Sequence, residues 1–237
     1  MKNMINFEQG KYYSYPYPYM VMEECFEQDI LENLIKEYPD VSDVGSVMGG
    51  RKQMGTHGGQ NTTKCERWLQ TVPTWNRFYN WLNSDSNLHS ILGYYEDQLT
   101  NWQSNVDQNS SFNTDCFTHV DWSSATDGYK REIHTDSSKR IWNFLIFFND
   151  KDWEGGDFLI HSSDDLDRNL PSQVFDNKTK VPVHKTFEAK KNRGIFFLST
   201  PESYHSVSEQ INTKTPRKFI YGSYSYRNGD VFRKRTK

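Results

Sequence analysis

The chain has 237 residues and a net charge of −3, from 28 Lys and Arg against 31 Asp and Glu. That length can bury a core without disulfides or a structural metal, and that charge argues against a strongly basic nucleic-acid binder. Aromatic residues reach 15% although the hydrophobic share is only 35%, which excludes a disordered chain, because disordered sequences are poor in aromatics.

Only two residues are alanine, Ala125 and Ala189. Alanine is the best helix former, so a helix bundle is disfavoured, and the aromatic and β-branched enrichment favours strands. The three cysteines, Cys25, Cys65 and Cys116, are widely spaced and form no CxxC, as expected of small buried thiols in a reducing compartment. The first ten residues hold no apolar stretch of signal-peptide length. The longest tight apolar run, Phe144 to Phe148, is far too short to span a bilayer. The expectation is a soluble cytoplasmic protein with no membrane segment.

In chain order, Tyr12 to Met22 is aromatic and carries Pro16 and Pro18, which suits an edge strand or extended arm. Phe26, Ile30, Leu31, Leu34 and Ile35 recur at helical spacing before Pro39 and predict an amphipathic helix over about 26–37. Val41 to Lys64 is studded with glycines and reads as a long mobile loop, with a lid as one possible role. Residues 74–100 read as two helices broken at Ser84-Asp85-Ser86, the first opened by Pro73. From about Ser111 the texture changes to short strands separated by turns, at 112–120, 129–135, 140–148, 157–161, 172–175, 181–188, 194–198, 204–209 and 217–226. The pattern predicts one domain over 1–237: a helical part to about 110, a mainly β core over about 111–227 as a double-sheet barrel or sandwich, and a basic tail at 228–237.

Two of the seven histidines open an H-x-D, His119-Val120-Asp121 and His134-Thr135-Asp136. On a strand, residues two apart point to the same face, so an H-x-D can aim an imidazole and a carboxylate at one ion. A third ligand from a distant strand completes a two-His-one-carboxylate face with open positions, the arrangement of non-haem Fe(II) oxygenases. The motif is common by chance, and context separates the pair. After Asp136 comes the near-continuous apolar strand Arg140 to Phe148, then a Trp153-Glu154-Gly155-Gly156 turn. Downstream lie the strand Gly194 to Leu198, then Tyr204-His205-Ser206-Val207, and Arg217 opening a last aromatic strand. No strand of this type follows His119-Val120-Asp121 directly. His161 and His184 read as packed or solvent-facing histidines, and Trp153 as a packing anchor.

The order H-x-D, WNFLIFFNDKDWEGGDFLI, NRGIFFLSTPESYHSVSE and TPRKFIYGSYSY resembles the Fe(II)/2-oxoglutarate-dependent dioxygenase superfamily, in its prolyl-hydroxylase-like branch. The resemblance covers about Tyr129 to Tyr226. It implies a double-stranded β-helix, or jelly roll, buttressed by N-terminal helices. It also implies a metal held by His134, Asp136 and His205, and Arg217 binding the far carboxylate of 2-oxoglutarate. A planar guanidinium suits that task, since it offers parallel donors and stays charged when buried. Asn143, sharing strand parity with Leu145 and Phe147, matches an inward polar position of the family. Its partner is either the cosubstrate or a neighbouring backbone group. Tyr129 is a second candidate beside the cosubstrate. Several branches carry Arg-x-Ser at the anchor, whereas this chain has Arg217-Lys218-Phe219, so any supporting hydroxyl comes from elsewhere.

The implied activity is Fe(II)-, 2-oxoglutarate- and O2-dependent hydroxylation of an unactivated C–H, with decarboxylation of 2-oxoglutarate to succinate and ascorbate as a possible accessory. The substrate expected is a prolyl-type peptidyl residue or a small molecule; a nucleic acid is disfavoured. The alternative is a cupin- or lectin-like jelly roll that binds carbohydrate without redox chemistry, which would have no need of Arg217.

Overall fold

The computed structural model describes residues 3–44, 46–56, 61–97, 116–137, 139–162 and 181–226. Its framework is two antiparallel sheets. Eight strands form the larger one: β1 (Lys11–Tyr13), β2 (Tyr19–Met22), β3 (Ser46–Met48), β4 (Arg51–Gly55), β5 (Cys116–Ala125), β7 (Arg140–Phe147), β10 (Gly194–Leu198) and β12 (Arg217–Tyr226). Their order is β1-β2-β10-β7-β12-β5-β4-β3. The smaller sheet has four: β6 (Arg131–His134), β8 (Phe158–His161), β9 (Val183–Phe187) and β11 (His205–Val207), in the order β6-β11-β8-β9.

The alternation of side chains along the large sheet builds two cores. On β7, Trp142, Phe144 and Ile146 join one apolar cluster with the helices, while Leu145 and Phe147 join another with Phe158 and Ile160 of the small sheet. A strand covered on both faces has no polar side, which is why this segment reads as a continuous apolar run. Asn143 breaks that rule on the inner face, fully buried.

Helices α1 (Gln28–Lys36), α2 (Thr62–Leu69), α3 (Pro73–Leu82) and α4 (Asp85–Gly93) back the outer face of the large sheet. Helix α1 buries Ile30, Leu31 and Leu34, the stripe expected from the spacing. Helix α3 starts at Pro73, and its open N-terminus is closed by Glu37: Glu37 Oε2 accepts from the Thr74 and Trp75 amides at 2.8 and 3.2 Å. Trp75 then meets Trp122 and Phe148 of the sheet with ring centroids 5.5 and 5.1 Å apart.

Two segments differ from their reading in the sequence. The stretch 12–22 is no free arm. Only β1 lies at the edge, while β2 is buried and pairs with β10 from Gly194↔Met22 to Phe197↔Tyr19. Pro16 and Pro18 fall between the two strands, where they cost the ladder nothing. The stretch 41–64 is not a loop throughout. It contains the β3–β4 hairpin, turned by Gly49 and Gly50 at positive φ, and the first turn of α2. The polar strand Arg51–Gly55 lacks apolar alternation because its inner face meets polar groups of β5. The expected strand at 172–175, residues 57–60 of the glycine-rich stretch and the basic tail lie outside the described residues. Among the described residues, no helix is long and apolar enough to cross a membrane.

Candidate active site

Strands β6 and β11 pair with His134 directly opposite His205. This brings the two imidazoles together, with ring centroids 4.3 Å apart. Asp136, two residues past His134, turns back between them. Its Oδ1 lies 4.0 Å from His134 Nε2 and its Oδ2 3.6 Å from His205 Nε2. Two ligands at ~2.1 Å from one ion can be at most ~4.2 Å apart, so both spacings admit a common ion. Among the described residues, this is the one group of three His, Cys, Asp or Glu side chains close enough for that.

The second ring nitrogens are already committed. His134 Nδ1 bonds the Glu132 carbonyl and His205 Nδ1 the Ser203 carbonyl, each at 2.8 Å. A carbonyl accepts only, so each Nδ1 carries the proton and each Nε2 keeps its lone pair on the Asp136 side of the site, where that of His134 accepts from Arg131 Nε at 3.3 Å. Burial, with His205 nearby, pushes His134 down to about 3, and burial lowers His205 as well. For Asp136 burial acts upward, but Arg140 and the two imidazoles outweigh it and hold the carboxyl at about 2. Two neutral imidazoles and one carboxylate at neutral pH form a donor set that needs no deprotonation to take a divalent ion.

Asp136 is fixed by groups that the sequence reading did not assign to it. Arg140 Nη1 donates to its Oδ1 at 2.7 Å, and the Tyr221 hydroxyl lies 3.0 Å from its Oδ2. The same hydroxyl is 3.0 Å from Asn143 Oδ1 and accepts from Arg140. Asn143 therefore pairs with a side chain, not with a neighbouring backbone group, and its Nδ2 has no partner among the described residues. The signal was present in part: Tyr221 shares the inward parity of Arg217 and Phe219 on β12. Which carboxylate it would reach depends on how β6 folds back.

Arg217 lies four residues from Tyr221 along β12, about 13 Å of strand. It is 2% exposed. Its guanidinium sits among aromatic rings, 4.7 Å from the Phe219 centroid, 5.0 Å from Tyr129 and 5.9 Å from Phe147. Nη1 donates to the Gly156 carbonyl, and Nε has no partner among the described residues. Burial pulls its pKa down to about 10. The Gly-Gly turn serves this contact. Gly155 and Gly156 both hold positive φ, and a Cβ on Gly156 would stand 3.0 Å from Arg217 Nη1. The Trp153 indole N–H, also buried and unpartnered, faces the same point.

The rival motif folds differently. On β5, His119 Nε2 and Asp121 Oδ1 bond each other at 3.0 Å, and Arg51 stands 3.8 Å from Asp121 Oδ2. No third metal-ligating group joins them among the described residues. His161 is bonded at both nitrogens, to the Val181 carbonyl and to Ser206 Oγ, and His184 is exposed against Tyr15.

The family model of the 2OG-Fe(II) oxygenase superfamily matches residues 113–224. No curated protein matches the chain. Among solved structures, HygX from Streptomyces hygroscopicus, with nickel and 2-oxoglutarate bound, aligns over 96% of this chain and 87% of its own, at TM-score 0.54 and 10% identity. A prolyl-4-hydroxylase from Pseudomonas putida aligns over 89% and 93%, at TM-score 0.49 and 14% identity. At such identity the HygX likeness speaks to the fold alone. It is the fold expected from the sequence: mainly β, a jelly roll buttressed by N-terminal helices. Residues 113–224, the stretch that holds the triad, Arg140, Arg217 and Tyr221, are those of a 2OG-Fe(II) oxygenase domain, whose chemistry uses Fe(II), 2-oxoglutarate and O2.

Proposed function

We propose that His134, Asp136 and His205 hold the Fe(II), that Arg217 anchors the far carboxylate of 2-oxoglutarate, and that Tyr129 and Asn143 line the space between. The enzyme then hydroxylates an unactivated C–H of a prolyl-type peptidyl residue or a small molecule. The observation that carries this reading is the guanidinium of Arg217, buried and, among the described residues, without a carboxylate in bridging distance, on the same strand as Tyr221, whose hydroxyl touches Asp136. A buried charge without a counter-ion is costly. A dicarboxylate whose other end reaches the metal offsets that cost and pairs with the free Nε. The carbohydrate-binding alternative gives such an arginine no task.

Bound iron supplies the redox chemistry: O2 activation coupled to decarboxylation of 2-oxoglutarate to succinate. The chain's own residues do the rest. Glu132 and Ser203 carbonyls fix the imidazole tautomers. Arg140 and Tyr221 hold the Asp136 carboxylate in place, and the shell of Tyr129, Phe147 and Phe219 keeps water from the anchor. The test is succinate formation from 2-oxoglutarate by the Fe(II)-loaded protein, with calorimetric titration of 2-oxoglutarate against wild type and Arg217→Ala. Equal binding to both proteins would overturn the assignment of the anchor.

A further inference from the structure

Among the described residues, four arginines face the interior of the barrel, and three have an anion in view or assigned. Arg140 is bonded to Asp136, Arg51 stands near Asp121, and Arg217 is assigned to the cosubstrate. The fourth is Arg131, at the start of β6. Its nearest acid in sequence, Glu132, is taken by Lys130 at 2.9 Å, and among the described residues Arg131 has no carboxylate within bridging distance. Among the described residues its two polar contacts are both weak: Nε donates to His134 Nε2 at 3.3 Å, and Nη1 rests 3.6 Å from Met48 Sδ.

The first of these contacts cannot persist in the working enzyme. Since His134 Nδ1 gives its proton to the Glu132 carbonyl, Arg131 donates to the very lone pair that would bind the metal. Loading the ion takes that lone pair. The guanidinium is then left beside a dication with a thioether as its remaining neighbour. It is also at the wall of a half-open cavity of about 250 Å³, between the β3–β4 turn at Met48 and Gly49 and the residues Gly128 and Lys130 to His134. A half-buried guanidinium facing a cavity at a cationic centre calls for an anion, and its fork matches a carboxylate.

We infer that Arg131 is the anchor for a free carboxylate on the oxidised substrate, so that this enzyme acts on a small organic acid in preference to a residue within a peptide. The inference rests on the dioxygenase reading and names the substrate class of that same site. The cavity supports the size: it lies below the ~300–1,000 Å³ of sites for drug-sized ligands. A mid-chain peptide residue brings no carboxylate of its own backbone to such an anchor.

The test measures binding near the metal independently of turnover. The protein is loaded with Mn(II) and 2-oxoglutarate, and the probes are n-butyrate, L-proline and L-leucine, each beside its primary amide. Mn(II) broadens the proton resonances of a probe seated next to it. At least one acid should be broadened where its amide is not. Arg131→Ala should weaken that binding about tenfold or more, the loss of one charge-assisted contact, and Arg131→Lys should restore part of it. Arg131→Ala should still take up Mn(II), because the His134 lone pair is no longer shared; if it does not, Arg131→Gln carries the comparison. Amides that bind as well as acids, a panel in which no acid binds, or an acid that binds the variants as it binds wild type would each overturn the inference. Succinate assays on the Fe(II) form separate the two readings. Turnover of 2-oxoglutarate without acid-selective binding sinks Arg131 alone, whereas acid-selective, Arg131-dependent binding without turnover sinks the dioxygenase reading and leaves the carboxylate subsite standing.

Discussion

Replacing Arg217 by methionine separates two roles of that side chain. In the ligand-free protein the guanidinium is a liability. Burial lowers its pKa from 12.5 to about 10, a fall equivalent to roughly 3 kcal/mol against the charged form. That cost is fully present at neutral pH, well below the folded value. The bond to the Gly156 carbonyl and the contacts with Phe219 and Tyr129 offset part of it, by about 2 kcal/mol together. Methionine fills similar space without the charge, so Arg217→Met should gain about 1 kcal/mol, or about 2–4 °C in midpoint for a protein of this size. With 2-oxoglutarate the sign reverses. The paired guanidinium would make two charge-assisted hydrogen bonds of about 1.5–3 kcal/mol each, so the variant should bind 2-oxoglutarate about 10²–10⁴-fold more weakly. Thermal unfolding of the Mn(II)-loaded proteins across a 2-oxoglutarate titration reads both effects: a rising midpoint for wild type, and a higher but flat one for the variant. A variant that still responds to 2-oxoglutarate, or that is several kcal/mol less stable without it, would refute the reasoning, because the guanidinium would then already be paired.

Further expectations concern the triad, the turn behind the anchor and the protonation of a buried histidine. His205→Ala should abolish stoichiometric Mn(II) binding in calorimetry, while His119→Ala should retain it, since His119 is bonded to Asp121 and no third ligand joins that pair. Gly156→Ala should cost about 1–2 kcal/mol in denaturant unfolding, because it forces an L side chain into positive φ, and it should weaken 2-oxoglutarate binding by crowding Arg217. His161 is held neutral by burial, its pKa lowered below the ordinary value. The unfolded chain therefore takes up the proton first, and stability should fall as pH drops below about 6.5. In His161→Gln the midpoint should change less between pH 7.5 and 5.5 than in wild type. An equal slope in both proteins would show that this histidine contributes nothing.

The sequence by itself determined the elements that carry their own pattern. Helix α1 was legible because Ile30, Leu31 and Leu34 form a stripe at helical spacing. Strands β7 and β10 were legible because a strand buried on both faces must be apolar along its length, and β12 because aromatic residues recur along it. The candidate residues of the site came from a resemblance, carried by the order of the H-x-D, the Gly-Gly turn and the arginine opening β12 along the chain, and not from periodicity. What stayed hidden depends on partners far away in sequence. Strand β4 shows no alternation, because Arg51 and Gln53 face a polar interior that exists only once β5 lies beside them. Likewise, neither Arg140 nor Tyr221 announces that it grips Asp136. That contact forms only when β6, β7 and β12, separated by up to 85 residues, converge at one end of the barrel. Context in the sequence favoured the second of the two H-x-D motifs, but the geometry that distinguishes them is tertiary. His119 and Asp121 face each other on one strand and satisfy each other, whereas the β6–β11 pairing sets His205 opposite His134. A metal site needs three donors at one point, and only the pairing of β11 with β6 within the small sheet brings the third.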